Sequence, residues 1–63
     1  MTPRTMKAKR EKLGLTQLEL ANDISETVLK GIMNPISQQV VSSMENGTRN
    51  IQPYIVKYFE IKG

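Results

Sequence analysis

One stretch of this sequence leaves little freedom in how it can fold: Leu15-Thr16-Gln17-Leu18-Glu19-Leu20. Thr followed three residues later by Glu is the pattern of a capping box. The Thr16 hydroxyl accepts from the backbone N–H of Glu19, and the Glu19 carboxylate reaches back to the N–H of Thr16. Leu15 before the cap and Leu20 four positions into the helix fit a hydrophobic staple. Such caps contribute on the order of 1 kcal/mol each. Leu20, Ala21 and Ile24 then continue a stripe at helical spacing. A helix must begin here.

Three more helix starts follow the same logic. Pro3 suits a first turn, where its missing N–H costs nothing. A first helix is predicted from Pro3 or Arg4 to Leu13, with Gly14 as a left-handed stop and Met6, Arg10 and Leu13 on one face. Ser37 is a good N-cap, and Ile36 with Val41 can form a second staple. The third helix is predicted over Gln38–Glu45, ending at Asn46-Gly47. The fourth begins near Pro53, with Ile55, Tyr58 or Phe59, and Ile51 from the preceding loop, closing the core. The fold class expected is all-α: four or five helices in one compact domain over residues 1–63, without repeats or linkers.

A chain of 63 residues buries a small core and needs efficient helix packing, a partner or a staple. Without Cys there is no disulfide, and without Cys or His there is no zinc-finger chemistry. Thiol nucleophiles and imidazole bases are missing too, so nothing supports an enzyme, and no cofactor or metal is expected. No apolar run reaches transmembrane length, and the N-terminus has no apolar signal region; a cytoplasmic location is expected.

The net charge is +3, unevenly spread. Residues 1–12 hold Arg4, Lys7, Lys9, Arg10 and Lys12 against Glu11 alone, a balance of +4. Residues 13–47 hold Lys30 against Glu19, Asp23, Glu26 and Glu45, a balance of −3. Residues 48–63 hold Arg49, Lys57 and Lys62 against Glu60, a balance of +2. Basic charge thus sits in the first helix and after the third. That is mild support for a polyanionic partner, and also compatible with an ordinary solvated face.

The third helix is more informative. With Val41 and Met44 inward, Gln39, Ser42, Ser43 and Asn46 point outward, and Val40 lies at the border. Gln38 joins them in a face without a charge between Gln38 and Met44, where a merely solvated helix would carry Lys and Glu. A Gln amide can bond adenine N6 and N7 together, so such a face suits base edges. Gln17 lies at the start of the second helix, where free N–H groups and the dipole favour an anion, and Thr16 beside it is a further candidate phosphate contact. Asn46, Thr48 and Arg49 lie at and just beyond the end of the third. Phosphate contacts position a module on a duplex, and base contacts specify the sequence.

In this order, Arg10, Leu13-Gly14-Leu15-Thr16-Gln17, Glu19-Leu20-Ala21, Ser37-Gln38-Gln39 and Met44-Glu45-Asn46-Gly47 resemble the helix-turn-helix domain of lambdoid phage repressors and Cro proteins, the wider Xre-type group. The resemblance covers residues 4–24 and 36–61. It implies a lambda-repressor-like fold and a transcriptional regulator, most often a repressor, that reads the major groove of a double-stranded DNA operator with its third helix. Gln38, Gln39 and Ser43 match positions facing the groove, with Ser42 beside them. Gln17 and Asn46 match phosphate-contacting positions, and Arg49 falls in the loop that follows the backbone. Arg10 and Glu45 match an ion pair between the first and third helices; the plain alternative is two exposed charges. The resemblance further implies a homodimer at least on DNA, in the nucleoid of a bacterial host, without a small-molecule ligand.

Two departures stand out. Ser25 to Pro35, SETVLKGIMNP, inserts about ten residues where the family has a short turn. The favoured expectation extends the second helix to about Lys30, with Glu26 and Lys30 as an i,i+4 pair and a turn over residues 31–36. A separate short helix and an ordered loop are the alternatives. Val28, Leu29, Ile32 and Met33 could cover the core, meet another chain, or do neither. Second, family members often pair subunits through a fifth helix or a tail; here pairing is expected through the fourth helix, the insertion or the DNA-bound arrangement. A protein-interaction module of antitoxin or adaptor type, and a non-specific nucleoid protein, are the rival readings.

Overall fold

The computed structural model describes residues 1–62 as four α-helices: α1 Pro3–Lys12, α2 Gln17–Thr27, α3 Gln38–Asn46 and α4 Pro53–Lys62. Each begins where the sequence marks a start. Thr2 caps α1, its Oγ1 accepting from the Thr5 N–H at 3.1 Å, and Pro3 occupies the first turn. Lys9, Arg10 and Lys12 fill the last turn, where the helix dipole favours positive charge. Gly14 then turns the chain at φ 74°, a conformation Gly adopts without steric cost. At α2 both halves of the capping box form: Glu19 N–H to Thr16 Oγ1 at 3.1 Å, and Thr16 N–H to Glu19 Oε1 at 2.9 Å.

The core takes Met6 from α1, Leu20, Ala21 and Ile24 from α2, Val41 and Met44 from α3, and Ile55, Tyr58 and Phe59 from α4. Both Tyr58 and Phe59 are buried, edge to face with ring centres 5.1 Å apart. Leu15, Ile36, Val40, Ile51 and Tyr54 pack half-buried around this centre. Leu15 and Ile36 thus lie where the two staples need them. Leu13 stays at the exposed rim, off the buried face that Met6 and Arg10 share. No described helix is long and apolar enough to cross a membrane.

The end of α2 differs from expectation. The helix stops at Thr27 rather than Lys30, and among the described residues no ion pair joins Glu26 to Lys30. The last turn is loosened from within. Ser25 Oγ donates to the Ala21 carbonyl at 2.8 Å, and Thr27 Oγ1 to the Asp23 carbonyl at 2.6 Å. Hydroxyls bonding back to i−4 carbonyls compete with the helix ladder and bend it. Thr27 and Val28 are β-branched, and the last turn holds no basic residue to offset the dipole. Both Val28 and Leu29 then direct their N–H groups to the Ile24 carbonyl, at 2.9 and 3.2 Å, which ends the regular pattern. Gly31, at φ 76°, reverses the chain.

This ending divides the insertion. Val28 and Leu29 turn inward and join the core, at 8% and 2% exposure. Ile32 and Met33 lie beyond the turn at 76% and 50%. With Val28, Leu29, Pro53, Tyr54 and Lys57 they border a shallow groove between the insertion and α4. Leu29→Ala is therefore expected to destabilise the domain by about 2–5 kcal/mol, as for other buried leucines. Ile32→Ala should stay within about 0.5 kcal/mol of the parent. Urea denaturation of the two variants checks this; equal effects would contradict the division.

Candidate nucleic-acid interface

The joint between α1, α2 and α3 is polar. Arg10 is buried in α1, and its guanidinium grips Glu45 of α3 twice: Nε donates to Oε2 at 2.7 Å and Nη2 to Oε1 at 3.2 Å. Its Nη1 donates to the Leu15 carbonyl, just before α2, at 2.8 Å. Gln17, the first residue of α2, donates through Nε2 to Glu45 Oε1 at 3.1 Å. The side chains of Arg10 and Glu45 are 11% and 3% exposed. The pair is therefore internal, and the alternative of two exposed charges is set aside. The hydrogen bond to Glu45 raises the Arg10 pKa further above an already high value, against an opposing effect of burial. No buried side-chain nitrogen or oxygen among the described residues lacks a partner.

This network brings together sequence-distant candidates. Gln17 at the start of α2 meets Glu45 near the end of α3, with Thr16 and Asn46 next to them in the chain. Gln17 has one amide N–H committed to Glu45, so its amide can offer an anion only what remains. The Thr16 hydroxyl accepts the cap bond from Glu19. Gln17 thus holds the joint and Thr16 caps α2, before either serves a phosphate.

On α3, Gln38 and Gln39 are exposed, as is Asn46. Ser42 and Ser43 are half-buried rather than fully outward. Asn46 Nδ2 sits 3.5 Å from Ser42 Oγ, at the limit of a hydrogen bond. The strongest outward presentation is therefore at the two ends of the helix rather than along its middle. Gly47, at φ 82°, closes the C-terminus. The Ser43 carbonyl then collects the N–H groups of Thr48 and Arg49, at 3.0 and 3.2 Å, and the Thr48 hydroxyl at 3.2 Å. The loop backbone at Arg49 is thus fixed to α3, while its side chain is exposed and meets no carboxylate within ion-pair distance among the described residues.

Ser37 behaves differently from its sequence pattern. Its backbone holds the N-cap conformation, φ −98° and ψ 166°, but its hydroxyl makes no capping bond. The exposed first turn of α3 therefore keeps unspent donors beside Gln38 and Gln39. A cap motif alone could not reveal this, since a serine there reads as a donor-satisfying residue.

On the far side, the Tyr58 hydroxyl of α4 donates to the Asp23 carboxylate of α2, and Lys62 Nζ lies 4.0 Å from the same carboxylate. Burial first, then the bond to Asp23, pushes the Tyr58 phenol far above its ordinary range, so it remains a donor at neutral pH. This contact holds α4 on α2 and leaves α3 out.

No protein-family model, curated protein or solved structure matches the chain.

Removing one member of a buried pair leaves an uncompensated charge, while replacing both by apolar residues need not. Glu45→Ala is expected to cost about 3–5 kcal/mol in urea denaturation. The combined Arg10→Met, Glu45→Leu variant should be clearly more stable than that single variant. A single-variant cost below about 1 kcal/mol would place the pair among ordinary surface ion pairs.

Proposed function

We propose that this chain is a sequence-specific, double-stranded DNA-binding transcriptional regulator of the phage repressor or Cro type, with α2 and α3 as its helix-turn-helix. Its α3 enters the major groove, and repression follows from excluding polymerase. The observation that carries this reading is the exposed, uncharged amide pair Gln38 and Gln39 on the uncapped first turn of α3, whose opposite side is buried through Val41 and Met44. The nine residues of α3 span roughly 13 Å, comparable to a groove about 12 Å wide. Gln38 and Gln39 read base edges, with the half-buried Ser42 and Ser43 in secondary positions. Thr16, Gln17, Asn46, Thr48 and Arg49 flank them as phosphate contacts, and Arg49 supplies the only full charge in that set.

A homodimer on a two-fold operator belongs to the same reading. Half-sites of such operators lie about 34 Å apart along one face of the duplex. With extents of 29 × 23 × 19 Å, two copies fit side by side at that spacing.

The groove beside Ile32 and Met33 supports a second reading, in which the chain is a protein-interaction module and the apolar tip of the insertion meets another protein. Substitution of the amide pair separates the two. Two bidentate base contacts are worth about 1–3 kcal/mol each. Gln38→Ala with Gln39→Ala should therefore lower the preference for a selected duplex over an unrelated one by at least roughly 30-fold. Helical circular dichroism and affinity for unrelated DNA should hold. Selectivity that survives the double substitution removes α3 as the reader. Affinity for no duplex at all favours the interaction module, and equal affinity for every duplex favours a non-specific nucleoid protein.

A further inference from the structure

The insertion leaves α2 and returns to almost the same point. Ser25 lies in the third turn of α2, and Ile36 directly precedes the Ser37 N-cap of α3. The Ser25 hydroxyl donates to the Ala21 carbonyl at 2.8 Å and accepts the Ile36 N–H at 3.0 Å. Both of its hydrogen-bonding roles are thereby used in one half-buried place. The ten residues between form an excursion whose two ends are tied together. Its near half is anchored by the buried Val28 and Leu29. Its far half is held by turn bonds from the Ile32 and Met33 N–H groups to the Leu29 carbonyl, at 2.9 and 3.1 Å.

We propose that Ser25 is the positioning residue of the α2–α3 joint: its bond to Ile36, rather than the length of the insertion, sets where α3 begins on α2. Gln38 and Gln39 follow Ile36 by only two and three residues. Any movement of the Ile36 backbone is passed to them through one extended residue, Ser37. At the other end α3 is held independently by Arg10 and Gln17 on Glu45. With its C-terminal end fixed and its N-terminal end released, α3 pivots rather than detaches. The consequence for DNA reading rests on the function proposed above; the mechanical role of Ser25 does not.

The groove beside Ile32 and Met33 carries no assignment of its own, because nothing in the structure says what would cover it. The loop that bears it, by contrast, has a defined mechanical role.

The test compares the parent with Ser25→Ala, which removes the hydroxyl, and Ser25→Thr, which keeps it. Three quantities are read by NMR and DNA titration: hydrogen exchange at the Ile36 amide, the orientation of the α3 amides relative to α2 from residual dipolar couplings, and the preference for a selected duplex over an unrelated one. In Ser25→Ala, Ile36 exchange should rise at least roughly tenfold. The α3 amides nearest Gln38 should reorient while those nearest Glu45 hold still. Duplex preference should fall by about tenfold with unchanged affinity for unrelated DNA. Ser25→Thr should restore all three. A general loss of stability would instead shift every α3 amide or none, so the graded pattern distinguishes positioning from simple support. Unchanged α3 couplings in Ser25→Ala overturn the proposal, whatever the exchange at Ile36. A parent that prefers no duplex, while α3 still pivots in Ser25→Ala, removes the DNA reading and leaves the joint standing.

Discussion

Everything on the α3 side of this molecule depends on the guanidinium of Arg10. With Glu45 it forms a buried ion pair in a very small core, and it spends its donors on two separate segments: α3 through Glu45 and the entry to α2 through the Leu15 carbonyl, with Gln17 completing the shell around the same carboxylate. Apolar packing among leucines, valines and methionines tolerates sliding, because its energy depends on volume more than on direction. A bidentate guanidinium–carboxylate pair does not, because its geometry is planar and directional. Such a pair adds little net stability when desolvation is counted. Its contribution here is register: it fixes the end of α3 against the start of α2, the two places from which the proposed phosphate contacts would come.

The other end of α3 is held differently, and the contrast organises the domain. Ser37, Gln38 and Gln39 carry no charge to pair, and the Ser37 hydroxyl makes no capping bond. That end packs on the core through Ile36, Val40 and Val41 and meets the insertion through buried Val28 and Leu29 and the hydroxyl of Ser25. For the proposed role of α3 this division is useful. The supporting contacts lie behind and below it, and the exposed first turn keeps its donors. Meanwhile α4 is tied to α2 through Tyr58 and Asp23, which stiffens the base without touching the exposed face of α3.

Much of this was legible in the sequence, and for a physical reason. Helix starts are local events, so Thr16 and Glu19, Pro3 and Pro53 declare themselves within a few residues. The inward stripe of Leu20, Ala21 and Ile24 follows from helical period alone. The end of α2 was harder. Glu26 and Lys30 have the right spacing for a helical pair, yet the hydroxyls of Ser25 and Thr27 and the pull of Val28 and Leu29 toward the core end the helix first. Tertiary burial outweighs local propensity there. The candidate face was legible in its residue types but not in its depth. Spacing places Ser42 and Ser43 outward, whereas both are half-buried in the folded chain. Gln17 could be placed at a helix start, but its bond to Glu45 joins residues 28 positions apart, which no local pattern encodes.

In the proposed function, the exposed first turn of α3 reads a particular DNA sequence as a pair of symmetry-related copies. Selection of bound duplexes from a random pool, followed by sequencing of the retained fraction, tests it most directly. Enrichment of a two-fold symmetric consensus is expected, with half-sites about one helical turn apart and adenine at positions facing the glutamines. A retained pool with no enriched sequence would contradict it.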